Sequence, residues 1–226
     1  DYSQIELRLL AHLSEDANLV RAFKNDHDIH SFTAGLIFGV SEKDVSGDMR
    51  SAAKTVNFGI IYGMSSYGLS QTLKIEVDKA KEFIDAYYER YPAVKGLFET
   101  MKEDARKKGY ATTLFGRIRY IPEINSPDIG LRGFAERVAV NMPIQGSAAD
   151  IIKIAMISIH DELIRKGYKA KMILQVHDEL VFNVPKDELG DVACLVKDNM
   201  EKVIAMKVPL IAKLEAGSDW LDMEPV

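Results

Sequence analysis

Two cations and two aromatic residues recur at every fourth position of the segment RSAAKTVNFGIIYG, namely Arg50, Lys54, Phe58 and Tyr62. An α-helix turns about 100° per residue, so this spacing places the four side chains on one slowly spiralling stripe about 18 Å long. Cations suit a polyphosphate, and flat aromatic rings suit a base or sugar beyond it. The stripe predicts a helix that binds nucleoside triphosphates. From composition alone, a solvated amphipathic helix with a positive face is the alternative.

The bulk composition is that of an ordinary folded protein. The chain has 226 residues, of which 47% are hydrophobic and 28% are charged, so it can bury a substantial core as one large domain or two interleaved ones. No apolar run approaches the ~20 residues of a membrane span, and no signal peptide opens the chain. The single cysteine, Cys194, excludes an internal disulfide. Its apolar helical context predicts a core position in a reducing compartment.

The distribution of charge is more informative than the net charge of −5. Between residues 102 and 137 there are eight cations against five acids, whereas from residue 178 to the end there are eleven acids against five lysines. The middle of the chain could therefore face phosphates. The acidic end would need metal cations before it could approach a polyanion.

The elements that must position these side chains are mostly helices, with strands near the end, and this order predicts an α+β fold. The striped helix is expected over 48–62, and Asp28 is expected to cap a helix over 29–38. Further helices are predicted at 77–91, 94–108, 132–141, 144–166 and 188–206, a hairpin at 110–114 and 117–121, and strands at 170–176, 180–184 and 210–215.

Three ordered segments carry a specific family resemblance. RSAAKTVNFGIIYG resembles the fingers-helix motif of family A DNA polymerases, the bacterial DNA polymerase I-like group. DYSQIELRLLAHLS (1–14) and QVHDELVF (175–182) match that family at the expected places. The resemblance implies an antiparallel palm sheet with helices, built from residues 1–14 and 129–226, and an inserted, mainly helical fingers subdomain over 15–128.

The resemblance also implies a function: template-directed addition of deoxynucleotides to a primer 3′-hydroxyl, with pyrophosphate release. The partners would be primer–template DNA and dNTPs, with no membrane partner, and the chain would be a monomeric part of a longer cytoplasmic, nucleoid-associated bacterial polymerase. The thumb and exonuclease domains are expected to be absent, because the chain begins at the catalytic aspartate itself. A free α-amino group at this position is expected to weaken metal binding.

Two carboxylates are expected to hold metal. The spacing of the residues leaves Asp178 as a hairpin-turn aspartate and Asp1 as a terminal residue. The resemblance alone brings them together as catalytic ligands of two Mg²⁺ ions, with Mn²⁺ able to substitute. It adds the backbone carbonyl of Tyr2 as a metal contact and gives Glu179 a supporting catalytic role. Two such ions would activate the attacking hydroxyl and hold the leaving pyrophosphate.

The resemblance assigns the nucleotide to the striped helix. Arg50 and Lys54 would bind the triphosphate with help from His30, and Lys54 would also act as a general acid toward the leaving group. Phe58 would pack on the sugar and base, and a phenylalanine at this position predicts rejection of dideoxynucleotides. Tyr62 would occupy the templating-base position in the open state.

The segment Ser3–Glu6 has two interpretations that can both hold. Ser3 and Glu6 have the spacing of a capping box that starts a helix. By resemblance, Gln4 and Glu6 would contact the nucleotide, and Glu6 would exclude a ribose 2′-hydroxyl.

Four residues are expected to contact DNA near the growing primer end, chiefly in the minor groove, where contacts are insensitive to sequence. They are Arg137, Asn141, Gln145 and His177. The first three step by four, but Pro143 lies between the last two and predicts that this step is not strictly helical.

Three hypotheses compete. The first is an active polymerase. The second is a folded but catalytically incomplete fragment that only binds nucleotide or duplex. Asp178→Asn distinguishes the two, because it would abolish turnover in the first case and change nothing in the second. The third is a relative of single-subunit RNA polymerases, which Glu6 opposes.

Overall fold

A computed structural model describes the whole chain, Asp1–Val226. Its helices are α1 (Ile5–Ser14), α2 (Ala17–Lys24), α3 (Ile29–Phe38), α4 (Gly47–Ile61), α5 (Ser66–Leu73), α6 (Val77–Arg90), α7 (Pro92–Lys108), α8 (Ile129–Lys166) and α9 (Leu189–Glu201). Its strands are β1 (Tyr110–Thr112), β2 (Ile118–Tyr120), β3 (Lys171–Val176), β4 (Glu179–Asn183), β5 (Glu215–Gly217) and β6 (Met223–Pro225). The predicted α+β class is confirmed.

The chain forms two compact units. One comprises Asp1–Ile5 with Ala148–Val226, which we call the hairpin unit, and the other comprises Glu6–Ser147, the helical unit. The boundary between them falls within α8. These divisions do not coincide with the predicted subdomain limits at residues 14 and 128, which stay predictions.

Side-chain caps explain where the helices of the helical unit begin. Asp28 accepts hydrogen bonds from the amides of His30 (2.9 Å) and Ser31 (3.3 Å), so the predicted cap and the predicted helix 29–38 are confirmed. Asp16 caps α2 in the same way and also accepts from the amide of Ala93 at 3.2 Å. The sequence interpretation missed α2.

The striped helix is present as α4, one residue offset from the expected start. Ser46 caps it by accepting from the amide of Met49 at 3.2 Å, and the helix ends before Gly63, whose φ of +66° an L side chain rarely adopts. Ile60 and Ile61 are poor helix formers, but they are 4% and 0% exposed. Packing therefore stabilises the second half of α4.

The prediction of two helices at 132–141 and 144–166 was wrong, because α8 runs unbroken through Pro143. Pro143 lacks an N–H and so leaves a carbonyl of the preceding turn without its usual donor. Residues on both sides of it are buried: Val140 is 3%, Met142 8% and Ile144 0% exposed. Burial of this stretch offsets the cost of an interior proline.

The strands form three separate antiparallel pairs, and the predicted hairpin 110–121 is confirmed as β1–β2. In β3–β4, Val176 lies opposite Glu179, so His177 and Asp178 form a two-residue turn. The predicted strand 210–215 is reduced to an isolated bridge between Tyr2 and Ala212; β5 and β6 follow it.

Two further expectations concern exposure. Cys194 is exposed, so the predicted core position was wrong: it lies on the side of α9 opposite the buried Val192, Leu195 and Val196.

By length and composition α8 could cross a membrane, with an 18-residue window of mean hydropathy 1.2 that is 44% buried. Packing inside the protein accounts for part of this apolar composition, and the absence of a membrane partner stays a prediction.

Candidate functional site

The first two residues of the hairpin unit are held as a strand against the segment around Ala212. The nitrogen of Asp1 donates to the carbonyl of Lys213 at 3.0 Å, and the amide of Lys213 donates to the carbonyl of Asp1 at 2.8 Å. The amide of Ser3 donates to Ile211 at 2.8 Å. This pattern makes Tyr2 and Ala212 a non-hydrogen-bonded pair, so the N–H and C=O of Tyr2 point to the opposite edge.

The β3–β4 turn lies at that opposite edge. The amide of Tyr2 donates to the carbonyl of Asp178 at 3.2 Å. Burial lowers the pKa of the Asp1 amino group, while the nearby charges of Glu179, Asp178 and Glu215 oppose this shift. The fold therefore brings Asp1 close to Asp178, although 177 positions separate them in the chain.

We call Asp1, Asp178 and Glu179 the carboxylate edge. The Tyr2 ring is 1% exposed and its hydroxyl donates to the carbonyl of Met200 at 2.8 Å. Because side chains alternate along a strand, the Asp1 carboxylate lies on the opposite, exposed face. Glu179 accepts from the indole nitrogen of Trp220 at 3.1 Å, a contact that occupies one of its oxygens.

The donor set of the carboxylate edge fits Mg²⁺. No group of three or more His, Cys, Asp or Glu side chains is placed to hold a metal ion. Mg²⁺ commonly binds one or two carboxylates and completes its shell with substrate phosphates and waters. Asp1, Asp178 and the outward-pointing carbonyl of Tyr2 meet that requirement.

The striped face of α4 lies in the helical unit and carries the predicted cations. Arg50 donates from Nε to Oδ2 of Asp28 at 2.6 Å, and Lys54 is exposed and makes no ion pair. Burial opposes ionisation of Asp28, but the bond from Arg50 and the amides of Ser31 and His30 outweigh it and hold the pKa of this carboxyl below its usual value. The sequence interpretation missed Asp28 as a partner of Arg50.

His30 lies beside this face and is 3% exposed. Its Nδ1 is 3.0 Å from Nδ2 of Asn57, and its ring centroid is 5.9 Å from that of Phe58. Burial lowers the pKa of His30 to about 4, and the charges of Arg50 and Lys54 add to this effect. His30 is therefore neutral at pH 7 and can donate a hydrogen bond without carrying a charge.

The aromatic end of the face connects to α1. The rings of Phe58 and Tyr62 are stacked with centroids 6.3 Å apart at 25°, and the Tyr62 hydroxyl donates to Oε2 of Glu6 at 2.9 Å. Gln4 is half-buried with φ of 58°, so it cannot be the first helical residue that a Ser3 cap requires. α1 begins at Ile5, one residue later than the predicted capping box requires.

The predicted DNA contacts lie in two places. Arg137, Asn141 and Gln145 share one face of α8, so the expectation of a non-helical step between them was wrong. Arg137 packs over Gly63, where a Cβ would lie 2.8 Å from its Cγ, and Oδ1 of Asn141 is buried without a hydrogen-bond partner. His177 is exposed in the β3–β4 turn with φ of 53°.

Comparisons with known proteins identify the family. The sequence profile of DNA polymerase family A matches residues 1–222. The chain therefore belongs to DNA polymerase family A.

Individual relatives agree with this assignment. DNA polymerase I of Caldicellulosiruptor bescii is 53% identical over 222 residues, which cover 98% of this chain and 26% of that protein. DNA polymerase I of Bacillus subtilis is 52% identical over 222 residues, which cover 98% and 25%. The chain thus spans about a quarter of the length of these relatives.

A solved structure is similar over nearly the whole chain. It is the POL domain of Pol1 from M. smegmatis in complex with DNA primer–template and dNTP. The TM-score is 0.90 at 44% identity, and the match covers 93% of this chain and 37% of that one.

Proposed function

We propose that the chain forms the fingers and palm portion of a template-directed DNA polymerase. It would add deoxynucleotides to a primer 3′-hydroxyl by two-metal-ion phosphoryl transfer and release pyrophosphate. Family membership and the relatives named DNA polymerase I support the polymerase class. The observation that carries the mechanism is the bond from the Tyr2 amide to the Asp178 carbonyl, because it brings Asp1, the chain neighbour of Tyr2, near Asp178.

The carboxylate edge would provide the catalytic residues. Asp1, Asp178 and the carbonyl of Tyr2 would hold two Mg²⁺ ions, and Glu179 would support them from the adjacent position. Such ions lower the pKa of an attacking hydroxyl and neutralise charge on a leaving pyrophosphate. Since phosphoryl transfer needs alignment more than covalent help, the short two-residue turn between paired strands suits this role.

The striped face would hold the nucleotide. Lys54 would contact the triphosphate and protonate the leaving group, because it is exposed and unpaired. Arg50 would contribute a cation already oriented by Asp28. His30 would donate from Nε2 as a neutral group, and Phe58 would pack on the sugar and reject dideoxynucleotides.

Selection of the sugar would depend on the start of the chain. Glu6, held by the Tyr62 hydroxyl, would exclude a ribose 2′-hydroxyl, and Gln4 would contact the same nucleotide. Tyr62 would occupy the templating-base position until the helix closes.

Duplex binding would use α8 and the β3–β4 turn. Arg137, Asn141 and Gln145 lie on one helix face and would contact the minor groove, and His177 would touch the primer terminus.

Further parts of the proposal concern context. The chain would act as a monomer within a longer bacterial-type polymerase in the cytoplasm, associated with the nucleoid. Residues 15–128 would be the fingers, and residues 1–14 and 129–226 the palm.

The test is extension of a recessed primer by the 226-residue chain in Mg²⁺, with dNTPs beside rNTPs. We expect extension with dNTPs only, lost in EDTA and in Asp178→Asn. Asp187→Asn is the matched control, because Asp187 is an exposed acid of the same unit that lies away from the carboxylate edge. Equal activity in both variants would contradict the assignment of Asp178.

The alternative is a fragment that binds but does not catalyse. It predicts no extension by the wild-type chain, together with a rise in anisotropy of a labelled primer–template on titration. No group of three or more His, Cys, Asp or Glu side chains is placed to hold a metal ion, and this favours testing the alternative in parallel.

A further inference from the structure

Asn57 is buried in α4 beside Phe58, and both ends of its amide are engaged. Its Nδ2 lies 3.0 Å from Nδ1 of His30, and its Oδ1 accepts from the Thr33 hydroxyl at 3.1 Å. Asn57 and Thr33 are each 1% exposed, so water does not compete for either contact. The amide therefore links His30 to the interior of the helical unit.

Thr33 continues this link to Tyr91. The two hydroxyl oxygens are 3.4 Å apart, and Tyr91 is 0% exposed. Burial raises the pKa of Tyr91 to about 12, although the bond with Thr33 and the charge of Arg90 oppose this, so Tyr91 carries its proton at neutral pH. Four side chains thus form one continuous chain of hydrogen bonds.

Tyr91, at the buried end of these linked side chains, determines which group donates and which accepts in each hydrogen bond. If Tyr91 donates to Thr33, then Thr33 donates to Oδ1 of Asn57, and Nδ2 of Asn57 donates to Nδ1 of His30. The hydroxyl hydrogens of Tyr91 and Thr33 and one amide hydrogen of Asn57 then each have an acceptor. In the reverse direction the Tyr91 hydroxyl hydrogen would be buried without an acceptor, which is costly.

The direction determines where His30 carries its proton. Since Nδ1 must accept from Asn57, the ring proton of the neutral histidine resides on Nε2. Nε2 of His30 makes no hydrogen bond within the protein. It is also not one of the side-chain atoms that are fully buried without a hydrogen-bond partner. It therefore remains available to a ligand on the striped face.

We propose that Asn57 is a positioning residue that fixes the Nε2–H tautomer of His30, so that His30 presents a neutral hydrogen-bond donor to the triphosphate. Thr33 and Tyr91 set the orientation of Asn57. The tautomer is a property of the chain alone, whereas its use on a triphosphate rests on the proposed polymerase function.

The first experiment is long-range ¹H–¹⁵N correlation NMR of the five histidine rings at pH 7 without nucleotide, with His30 assigned by His30→Gln. We expect a protonated Nε2 and an unprotonated Nδ1. A protonated Nδ1, or a doubly protonated ring, would overturn the proposal whether or not the chain polymerises DNA.

Substitutions test the cause of the tautomer. Asn57→Asp can only accept at this position, so we expect His30 to gain a proton on Nδ1 and its pKa to rise. Thr33→Val removes the group that orients the amide, so both tautomers should appear, while Thr33→Ser should restore the wild-type spectrum. If Thr33→Val leaves His30 in the single Nε2–H form, the orientation of the Asn57 amide does not depend on its hydrogen bond with Thr33. That result would contradict the proposal.

Tyr87→Phe is the control for removing a buried hydroxyl. Tyr87 is 1% exposed and packs on Tyr91 with centroids 4.7 Å apart, but its hydroxyl has no partner. We expect this variant to keep the wild-type His30 spectrum. A change equal to that in Thr33→Val would mean that packing, not hydrogen bonding, sets the tautomer.

Steady-state extension separates the positioning role from the function itself. In Thr33→Val the KM for dNTP should rise about twofold at unchanged kcat, because about half of the molecules carry the wrong tautomer. In Asn57→Asp, assayed at a pH where the His30 ring is neutral, it should rise about tenfold, because the ring proton then lies on Nδ1 and one hydrogen bond of ordinary strength from Nε2 is lost. A lowered kcat with unchanged KM would contradict ground-state positioning. If the spectra match expectation but the wild-type chain extends no primer, the proposed function fails and the tautomer assignment stands.

Discussion

His30 is a titratable group that the fold keeps neutral, and this makes stability depend on pH. Its pKa is about 4 in the folded chain, against about 6.5 for an unfolded histidine. Between these values the unfolded chain binds more protons, so stability is complete above about pH 6.5 and is lost as the pH falls toward 4. Asp28 faces His30 and favours the charged form, while Arg50 and Lys54 disfavour it.

We predict that lowering the pH from 7.5 to 5.0 reduces the free energy of unfolding by about 2 kcal/mol through His30 alone. Urea unfolding at the two pH values measures this. His30→Gln should lose most of the pH dependence, and His160→Gln, which changes an exposed histidine, should retain it. An undiminished pH dependence in His30→Gln would show that another group is responsible.

Glu6 combines an acidic side chain with a specific partner, the Tyr62 hydroxyl at 2.9 Å. We predict that Glu6→Ala raises the efficiency of ribonucleotide use relative to dNTP use by at least about tenfold, because it removes the group expected to oppose a 2′-hydroxyl. Glu6→Gln keeps the size and an acceptor for Tyr62, so most of the discrimination should remain. Competing dNTP and rNTP extension assays compare the two, and equal discrimination in all three proteins would refute the role of Glu6.

At the scale of elements, Gly146 marks a close approach between α8 and the β1–β2 hairpin. A Cβ at this position would lie 2.6 Å from Cγ2 of Thr113 and 3.1 Å from Sδ of Met142. Thr113 cannot rotate freely, because its hydroxyl accepts from the amides of Phe115 (3.3 Å) and Arg117 (3.1 Å).

We predict that Gly146→Ala destabilises the helical unit by about 1–3 kcal/mol, the usual cost of overpacking. Gly96→Ala is the matched control: Gly96 lies within α7 and a Cβ there would meet nothing within 4 Å. That change should stabilise by roughly 0.5–1 kcal/mol, because alanine is the better helix former. Thermal unfolding of both variants tests whether the two substitutions change stability in opposite directions. An unchanged stability in Gly146→Ala would show that Met142 and Thr113 shift to accommodate the added methyl group.

Local signals predicted the elements well where capping residues were decisive. Asp28 predicted the start of α3, and the stepped residues predicted the α4 helix and the face on which they lie. Pro143 misled the prediction, since propensity cannot include the burial of Met142 and Ile144 on either side. The pairing of Asp1 with Lys213 has no local signal either, and Asn57 beside His30 is visible only once α3 and α4 are packed.

At the scale of the whole molecule, the cation-rich segment 102–137 has fewer unpaired positive charges than its composition suggests. Four of its eight cations are paired with acids on the surface: Lys102 with Glu99, Arg106 with Glu136, Lys107 with Glu103 and Lys108 with Asp104. Arg119, Arg132 and Arg137 make no ion pair. These three are the strongest candidates for phosphate contacts.

We predict that Arg119→Ala and Arg137→Ala each reduce the slope of log Kd against log salt for primer–template binding by about 0.9, since each phosphate contact releases about one counterion. Lys186→Ala, which removes an exposed cation of the acidic end, should leave the slope unchanged. Anisotropy titrations at several salt concentrations measure all three. Equal slopes for Arg119→Ala and Lys186→Ala would place Arg119 away from DNA.

The pairing of Asp1 with Lys213 also governs when the carboxylate edge can exist during synthesis. Residue 1 is translated more than 200 residues before its strand partner, and contacts of such long sequence separation form late in folding. We expect the helical unit to fold on the ribosome before Asp1 and Tyr2 pair with the segment around Ala212. A nascent chain truncated before Lys213 should therefore resist proteolysis in its helices and yet lack the strand pairing that places Asp1 beside Asp178.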